Sequence, residues 1–282
     1  MNAVSIRDLR KEYGDFGVRV PELDLPKGYV TGLVGRNGSG KTTLLRAVLG
    51  LIPLSAGRVT VLGGDLAADP ELRAQVGFVS ETPYYLPSLT VSQVRDAVAP
   101  FYPRWDEELY RRLREELELP DRRVKELSKG QGKILSFIMA YATRPRLLIL
   151  DEPTANLDPA VRHALMGCLR RYMEDGENTL LFSTHITEDL EGLCDYLVGL
   201  DRGRISFSGE KDAVLERYAI VQGPADLLTP ETAGVFLGVE RSAVGFTGLT
   251  ADPAEARALF GEEARLRRPT IEELIIYQGG DL

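Results

Sequence analysis

Eight consecutive residues, Gly35, Arg36, Asn37, Gly38, Ser39, Gly40, Lys41 and Thr42, have the composition of an anion cradle. Glycines let the main chain curl until several amides face one point, and a helix opening behind them adds partial positive charge. Their spacing is GxxxxGK[ST], the pattern of a loop that holds nucleotide phosphates when a strand precedes it and a helix follows. Lys41 is then placed for the β and γ phosphates, and the Thr42 hydroxyl for a magnesium ion. Thr43, next along the same turn, is counted with the nucleotide-binding residues.

A second cluster is LLILDEP, where four apolar residues run into two carboxylates. An acid at the end of a buried strand, beside a phosphate loop, suits a water-bound magnesium ion, and that acid is Asp151. Glu152 points another way and could orient or deprotonate an attacking water. His185 follows LLFST and also falls at a strand end, where its ring could meet a γ phosphate or a water. His163 lies within a helical pattern and carries no chemistry. A third stretch, LSKGQ at 127–131, opens another helix: Ser128 stands at the capping position, and the amides of Lys129 and Gly130 face a possible anion. A plain structural cap would use the same serine.

These groups need strands to carry them. YVTGLVG (29–35) and LLILD (147–151) read as buried strands, and KTTLLRAVLG (41–50) as a helix closing on Gly50. Residues 159–173 place Val161, Leu165, Cys168, Leu169 and Tyr172 on one helical face, and TLLFSTH supplies the next strand. Strand, helix, strand in that order predicts an α/β fold, a mostly parallel sheet covered by helices. Between about 83 and 145, Leu109, Leu113 and Leu117 recur at helical spacing among many charges, which predicts an inserted helical subdomain. Beyond about 218 the patterning is weak and mixed. TIEELIIYQ (270–278) reads as a short helix capped by Thr270.

At 282 residues with net charge −8, the chain can bury an adequate core without cross-links, and nonspecific nucleic-acid binding is not expected. Cys168 and Cys194 stand singly in apolar segments, which fits reduced, buried thiols. No stretch approaches the ~18 apolar residues of a membrane span, and the opening MNAVSIRDLRKEYG lacks a signal pattern, so a soluble chain is expected.

Taken together, the phosphate loop, LSKGQ, LLILDEP and His185 resemble the ATP-binding cassette (ABC) family, in its motif order, over residues 1–218. The resemblance implies a P-loop NTPase fold of ABC type, with residues 219–282 a C-terminal accessory region. It implies ATP and Mg2+ as ligands, ATPase activity, and a head-to-tail dimer of two cassettes, identical or different. LSKGQ then corresponds to the signature motif, so Ser128, Lys129, Gly130 and Gln131 would cap the γ phosphate held by the partner, with Lys129 replacing the usual glycine. Tyr13 matches the aromatic that stacks on adenine. Asn156, Leu157 and Asp158 match the loop that crosses to the partner, Asp158 counting among the nucleotide-binding residues. Glu81 stands where a magnesium-contacting glutamine is usual, which adds negative charge to a metal set of Thr42, Glu81 and Asp151.

A single cassette without a membrane span implies a separate membrane-spanning permease, docked on the 83–145 subdomain, and a cytoplasmic location at the inner face of the membrane. LTVSQVRDAVAPFYPRWDEE resembles cassettes of bacterial drug, antibiotic or peptide exporters, at Phe101, Tyr102, Pro103, Trp105 and Asp106. The rival expectation is a soluble cassette ATPase that works without a membrane partner. A nonhydrolysing regulatory module conflicts with the presence of Lys41, Asp151, Glu152 and His185.

Overall fold

The structure is a computed structural model that describes residues 1–82 and 84–278. The expected first residue of the helical block, Pro83, and the last four of the tail, 279–282, lie outside the described residues.

The chain opens with an antiparallel hairpin, β1 (Asn2–Tyr13) and β2 (Phe16–Pro26), turned at Gly14 with φ 51°. β3 (Val30–Val34) leads through the phosphate loop to α1 (Lys41–Val48). β4 (Ala56–Val61), α2 (Pro70–Arg73) and β5 (Val76–Val79) follow. Next come three helices, α3 (Val91–Val98), α4 (Glu107–Glu116) and α5 (Lys129–Ala142), and then β6 (Leu147–Asp151), α6 (Pro159–Met173), β7 (Thr179–Ser183), α7 (Thr187–Glu191), β8 (Tyr196–Asp201) and β9 (Arg204–Glu210). One nine-stranded sheet runs β4-β1-β2-β9-β8-β3-β7-β6-β5. Its working half, β8-β3-β7-β6-β5, is parallel throughout, while the hairpin, β4 and β9 bring in the antiparallel pairs.

Burial explains why the central strands read as unbroken apolar runs. Alternate residues of β3, β6 and β7 face opposite layers, and both layers are covered. Val30, Val34, Leu148, Leu150, Leu180 and Phe182 enter the core shared with α5 and α6, whereas Leu33, Leu147, Ile149 and Leu181 meet α1 and the hairpin. α1 ends at Leu49 because Gly50, at φ 65°, turns left-handed as a helix terminus favours. α6 starts where Asp158 accepts from the amides of Ala160 and Val161, with Pro159 in the first turn.

Between β5 and β6 the described residues form helices and one isolated bridge, Thr90 to Arg123. Leu109, Leu113 and Leu117 are buried there as their spacing predicts. Trp105 packs on Tyr110 with ring centroids 5.6 Å apart, and Asp106 caps α4. Phe101, by contrast, is exposed.

The region after 218 holds more order than its patterning conveys. α8 (Lys211–Glu216) leads into β10 (Ala219–Gly223), α9 (Pro230–Ala233), β11 (Phe236–Ser242), β12 (Gly245–Thr250), α10 (Pro253–Phe260), β13 (Arg265–Arg267) and α11 (Ile271–Gln278). The strands make a second, antiparallel sheet, β11-β12-β10-β13. Strand alternation was hard to see because β13 has three residues and β11 is bulged between Phe236 and Gly238. One face carries Phe236, Phe246 and Phe260 in mutual ring contact, and the other puts Ile220 and Leu249 against Ile271, Leu274 and Tyr277 of α11. Thr270 caps α11 as expected, exchanging hydrogen bonds with Glu273. Cys168 and Cys194 are free and buried, and burial pushes both thiols up to about 12.

Candidate functional site

The parallel strands deliver their carboxyl ends to one edge of the sheet, where ligands of open α/β sheets bind. Register aligns Leu33 of β3 and Asp151 of β6 with Ser183 of β7, so the phosphate loop, the acidic pair and the turn before His185 emerge side by side. They surround a cavity of about 670 Å³ lined by Asn37 to Thr43, Glu81, Glu152, Asn156 and His185, with Phe16 at its side.

The phosphate loop has the properties of an anion cradle. Gly38 (φ 79°) and Gly40 (φ 106°) adopt the left-handed conformation, and a Cβ on Gly40 would come within 2.9 Å of Val18. The amides opening α1 have no intrahelical acceptor, and the buried Ser39 hydroxyl has no partner among the described residues. Lys41 Nζ donates to the carbonyl of Gly35 at 2.8 Å and lies 3.7 Å from Glu152 Oε1. A flexible ammonium held by loop carbonyls beside unbonded amides fits a polyphosphate.

Glu152 is tied on every polar group. Its amide donates to the Ser183 carbonyl at 3.0 Å and lies 3.2 Å from the Ser183 hydroxyl. Its carbonyl accepts from Lys133 Nζ at 2.7 Å, and its Oε2 sits 2.7 Å from His185 Nδ1. Its φ is 51°, a conformation that bulky residues adopt only when their surroundings hold them there. Asp151, 2 % exposed, accepts from the Ser183 hydroxyl at 2.6 Å and stands behind the cavity wall.

Thr42, Glu81 and Asp151 offer hard oxygen donors, which suit magnesium. The described residues contain no group of three or more His, Cys, Asp or Glu able to hold a metal ion. Such a set fits an ion that takes one or two carboxylates and obtains its other ligands from phosphate and water.

Not every residue expected at the nucleotide reaches this cavity. Tyr13 lies outside the lining, 46 % exposed with Lys11 Nζ over its ring, whereas Phe16, three residues on across the hairpin turn, lines it. Phe16 was not singled out from the sequence, where KEYGDF carries two aromatics, Tyr13 and Phe16. Asp158 serves as the α6 cap. Ser128 and Gln131 form a reciprocal capping box at the start of α5. Ser128 and Lys129 line a separate cavity of about 330 Å³, with Glu81 and Asn156 bordering both spaces. Gly130 approaches the crossing loop so closely that a Cβ would lie 3.1 Å from the Asn156 carbonyl. Lys133, deep in α5, was not singled out from the sequence; among the buried apolar residues of that helix, no periodic signal marks it.

Comparison with known proteins adds the family context. The profile of the family described as ABC transporter matches residues 18–155. The Nod factor export ATP-binding protein I of Rhizobium sp. (strain N33) is 31 % identical over 292 residues, covering 97 % of this chain and 96 % of that protein. The ABC transporter ATP-binding protein YtrB of Bacillus subtilis (strain 168) is 29 % identical over 222 residues, 78 % of this chain and 76 % of its own. A solved ATP-binding subunit of an ABC transporter superposes with TM-score 0.68 at 29 % identity, covering 76 % of this chain and 92 % of that one.

Proposed function

The chain belongs to the ABC transporter family as an ATP-binding and hydrolysing subunit, and from that premise we propose that it powers export through a separate membrane permease. The observation that carries the reading is the convergence of Lys41, Glu81, Glu152 and His185, from four separate strand ends, on one polar cavity. In this reading Glu152 takes a proton from the water that attacks the terminal phosphorus, and His185 holds the carboxylate in place. Lys41 leaves the Gly35 carbonyl for the phosphates. Bound magnesium would neutralise phosphate charge, held through Thr42, Asp151 and Glu81. Residues 1–218 form the cassette and the second sheet an accessory region.

Ser128 and Lys129 line a cavity separate from the one at the chain's own phosphate loop, which supports a shared site in which each cassette's signature completes the partner's. Transport needs a docking surface as well. Tyr84, Leu86, Phe101 and Leu51 are exposed, and Tyr84 and Leu51 flank a groove of about 410 Å³ with Ile52, Phe78 and Tyr85. Apolar side chains held in solvent around a groove fit helices of a membrane protein. Among the described residues no helix is long and apolar enough to cross a membrane, and this reading takes the permease as a separate chain. The exporter relative favours export over import, and the choice of drug, antibiotic or peptide-like cargo rests on the resemblance of the segment around Phe101 and Trp105 to exporter cassettes.

Mass spectrometry of what copurifies with tagged Glu152→Gln from detergent-solubilised membranes, with MgATP present, tests the assignment. A stoichiometric multispanning protein is the expected result. Recovery with soluble partners alone would replace the transporter reading with that of a cassette ATPase acting elsewhere.

A further inference from the structure

Lys133 is 5 % exposed on α5, followed in sequence by the buried Ile134, Leu135, Phe137 and Ile138 of the same helix. A lysine in such a place needs a strong compensating contact. Its ammonium donates to the Glu152 carbonyl at 2.7 Å. Burial lowers its acid range, while Glu81, then Glu152 and Asp151, act to hold the charge on.

The contact matters because of what it restrains. Glu152 occupies a left-handed turn with φ 51°. Its amide is held by β7 and its carboxylate by His185, so Lys133 is the restraint on the third polar group and comes from a different layer. α5 is also the helix that Ser128 opens. We propose that Lys133 is a positioning residue for hydrolysis: through the Glu152 carbonyl it fixes the turn that aims the carboxylate, and makes that aim depend on where α5 sits. The proposal rests on the reading of Glu152 as the base.

Lys133→Met, assayed in the full chain with MgATP, tests it. The thioether fills the space of the stem without a buried charge, so the melting temperature should stay at or above that of the parent. Turnover should fall about 10- to 100-fold, as for a catalytic group displaced by a fraction of a bond length, with the ATP dissociation constant changed by less than about twofold. Lys133→Arg, which keeps a charged donor, should recover part of the loss. Combined with Glu152→Gln, Lys133→Met should cause no further loss, because it acts through a group already removed. Parental turnover in Lys133→Met beside an inactive Glu152→Gln would overturn this proposal alone, as would fully multiplicative losses in the double variant. Parental turnover in Glu152→Gln would overturn the base assignment itself, and the proposal with it.

Discussion

His185 meets Glu152 twice: Nδ1 lies 2.7 Å from Oε2, and the His185 amide donates to the same oxygen at 3.3 Å. The end of β6 and the turn after β7 are thereby joined at the group assigned to activate water. His185→Ala should lower single-turnover phosphate release about 100-fold and leave ATP affinity nearly unchanged, since the backbone contact survives and the imidazole contact does not. Loss of binding in place of turnover would reassign His185 to ground-state recognition.

Phe16 and Tyr13 give opposite expectations. Phe16 borders the cavity beside the phosphate loop and Tyr13 does not. If the adenine stacks there, Phe16→Ala should weaken ATP binding by about tenfold, near the low end of aromatic–base stacking, and Tyr13→Ala should do little. Fluorescent ATP titration decides between them, and the reverse ranking would restore Tyr13.

At Ser128, cap and function can be separated. Ser128→Arg should abolish hydrolysis while sparing nucleotide binding, and should also cost about 1 kcal/mol because the capping box is lost. Ser128→Asn, a good cap, should keep the stability. Paired urea melts and phosphate-release assays read both effects; normal turnover in Ser128→Arg would exclude a shared site.

Asp189, 5 % exposed, accepts from the Thr154 hydroxyl at 2.6 Å and from Arg162 Nε at 2.8 Å. Removing its carboxylate leaves the buried Thr154 hydroxyl and Arg162 Nε without their acceptor, Arg162 keeping only its contact to Glu188. Asp189→Ala should therefore destabilise the fold by about 3 kcal/mol, measured by denaturant unfolding. Thr154 follows Glu152 by two residues, so a fall in turnover at temperatures where the variant is folded is expected too.

Acid should weaken one helix start in a predictable window. The Leu109 amide, and Arg144 beside it, hold the Asp106 carboxyl below its ordinary value of 3.8. A depressed carboxylate stabilises the folded state fully above the unfolded value and loses that contribution as pH falls through the folded one. Asp106→Ala should cost about 1 kcal/mol at neutral pH. The gap between parent and variant should narrow below pH 3.8, in melts followed by circular dichroism.

Local pattern and tertiary geometry contributed different parts of this picture. GRNGSGKT, LLILD and TLLFS are contiguous, and the physics that makes them recognisable acts over a few residues: glycine turns, unbroken apolar strands buried on both faces, a helix opening on a cradle. Their order along the chain therefore sufficed for the α/β class, the phosphate loop and the positions of Asp151, Glu152 and His185. The second sheet was not readable in the same way, because its half-exposed strands are paired by partners up to 47 residues apart, as between Ile220 and Arg267, and one strand is bulged. Nor could spacing tell that Phe16 and not Tyr13 lines the cavity, since two aromatics flanking a hairpin turn differ in the direction they face and not in pattern. The Lys133 contact spans 19 residues and two layers. A lysine in an apolar helix reads as an exception until packing shows which carbonyl it meets, because a buried charge is explained by its partner, and partners distant in sequence meet only when the chain folds.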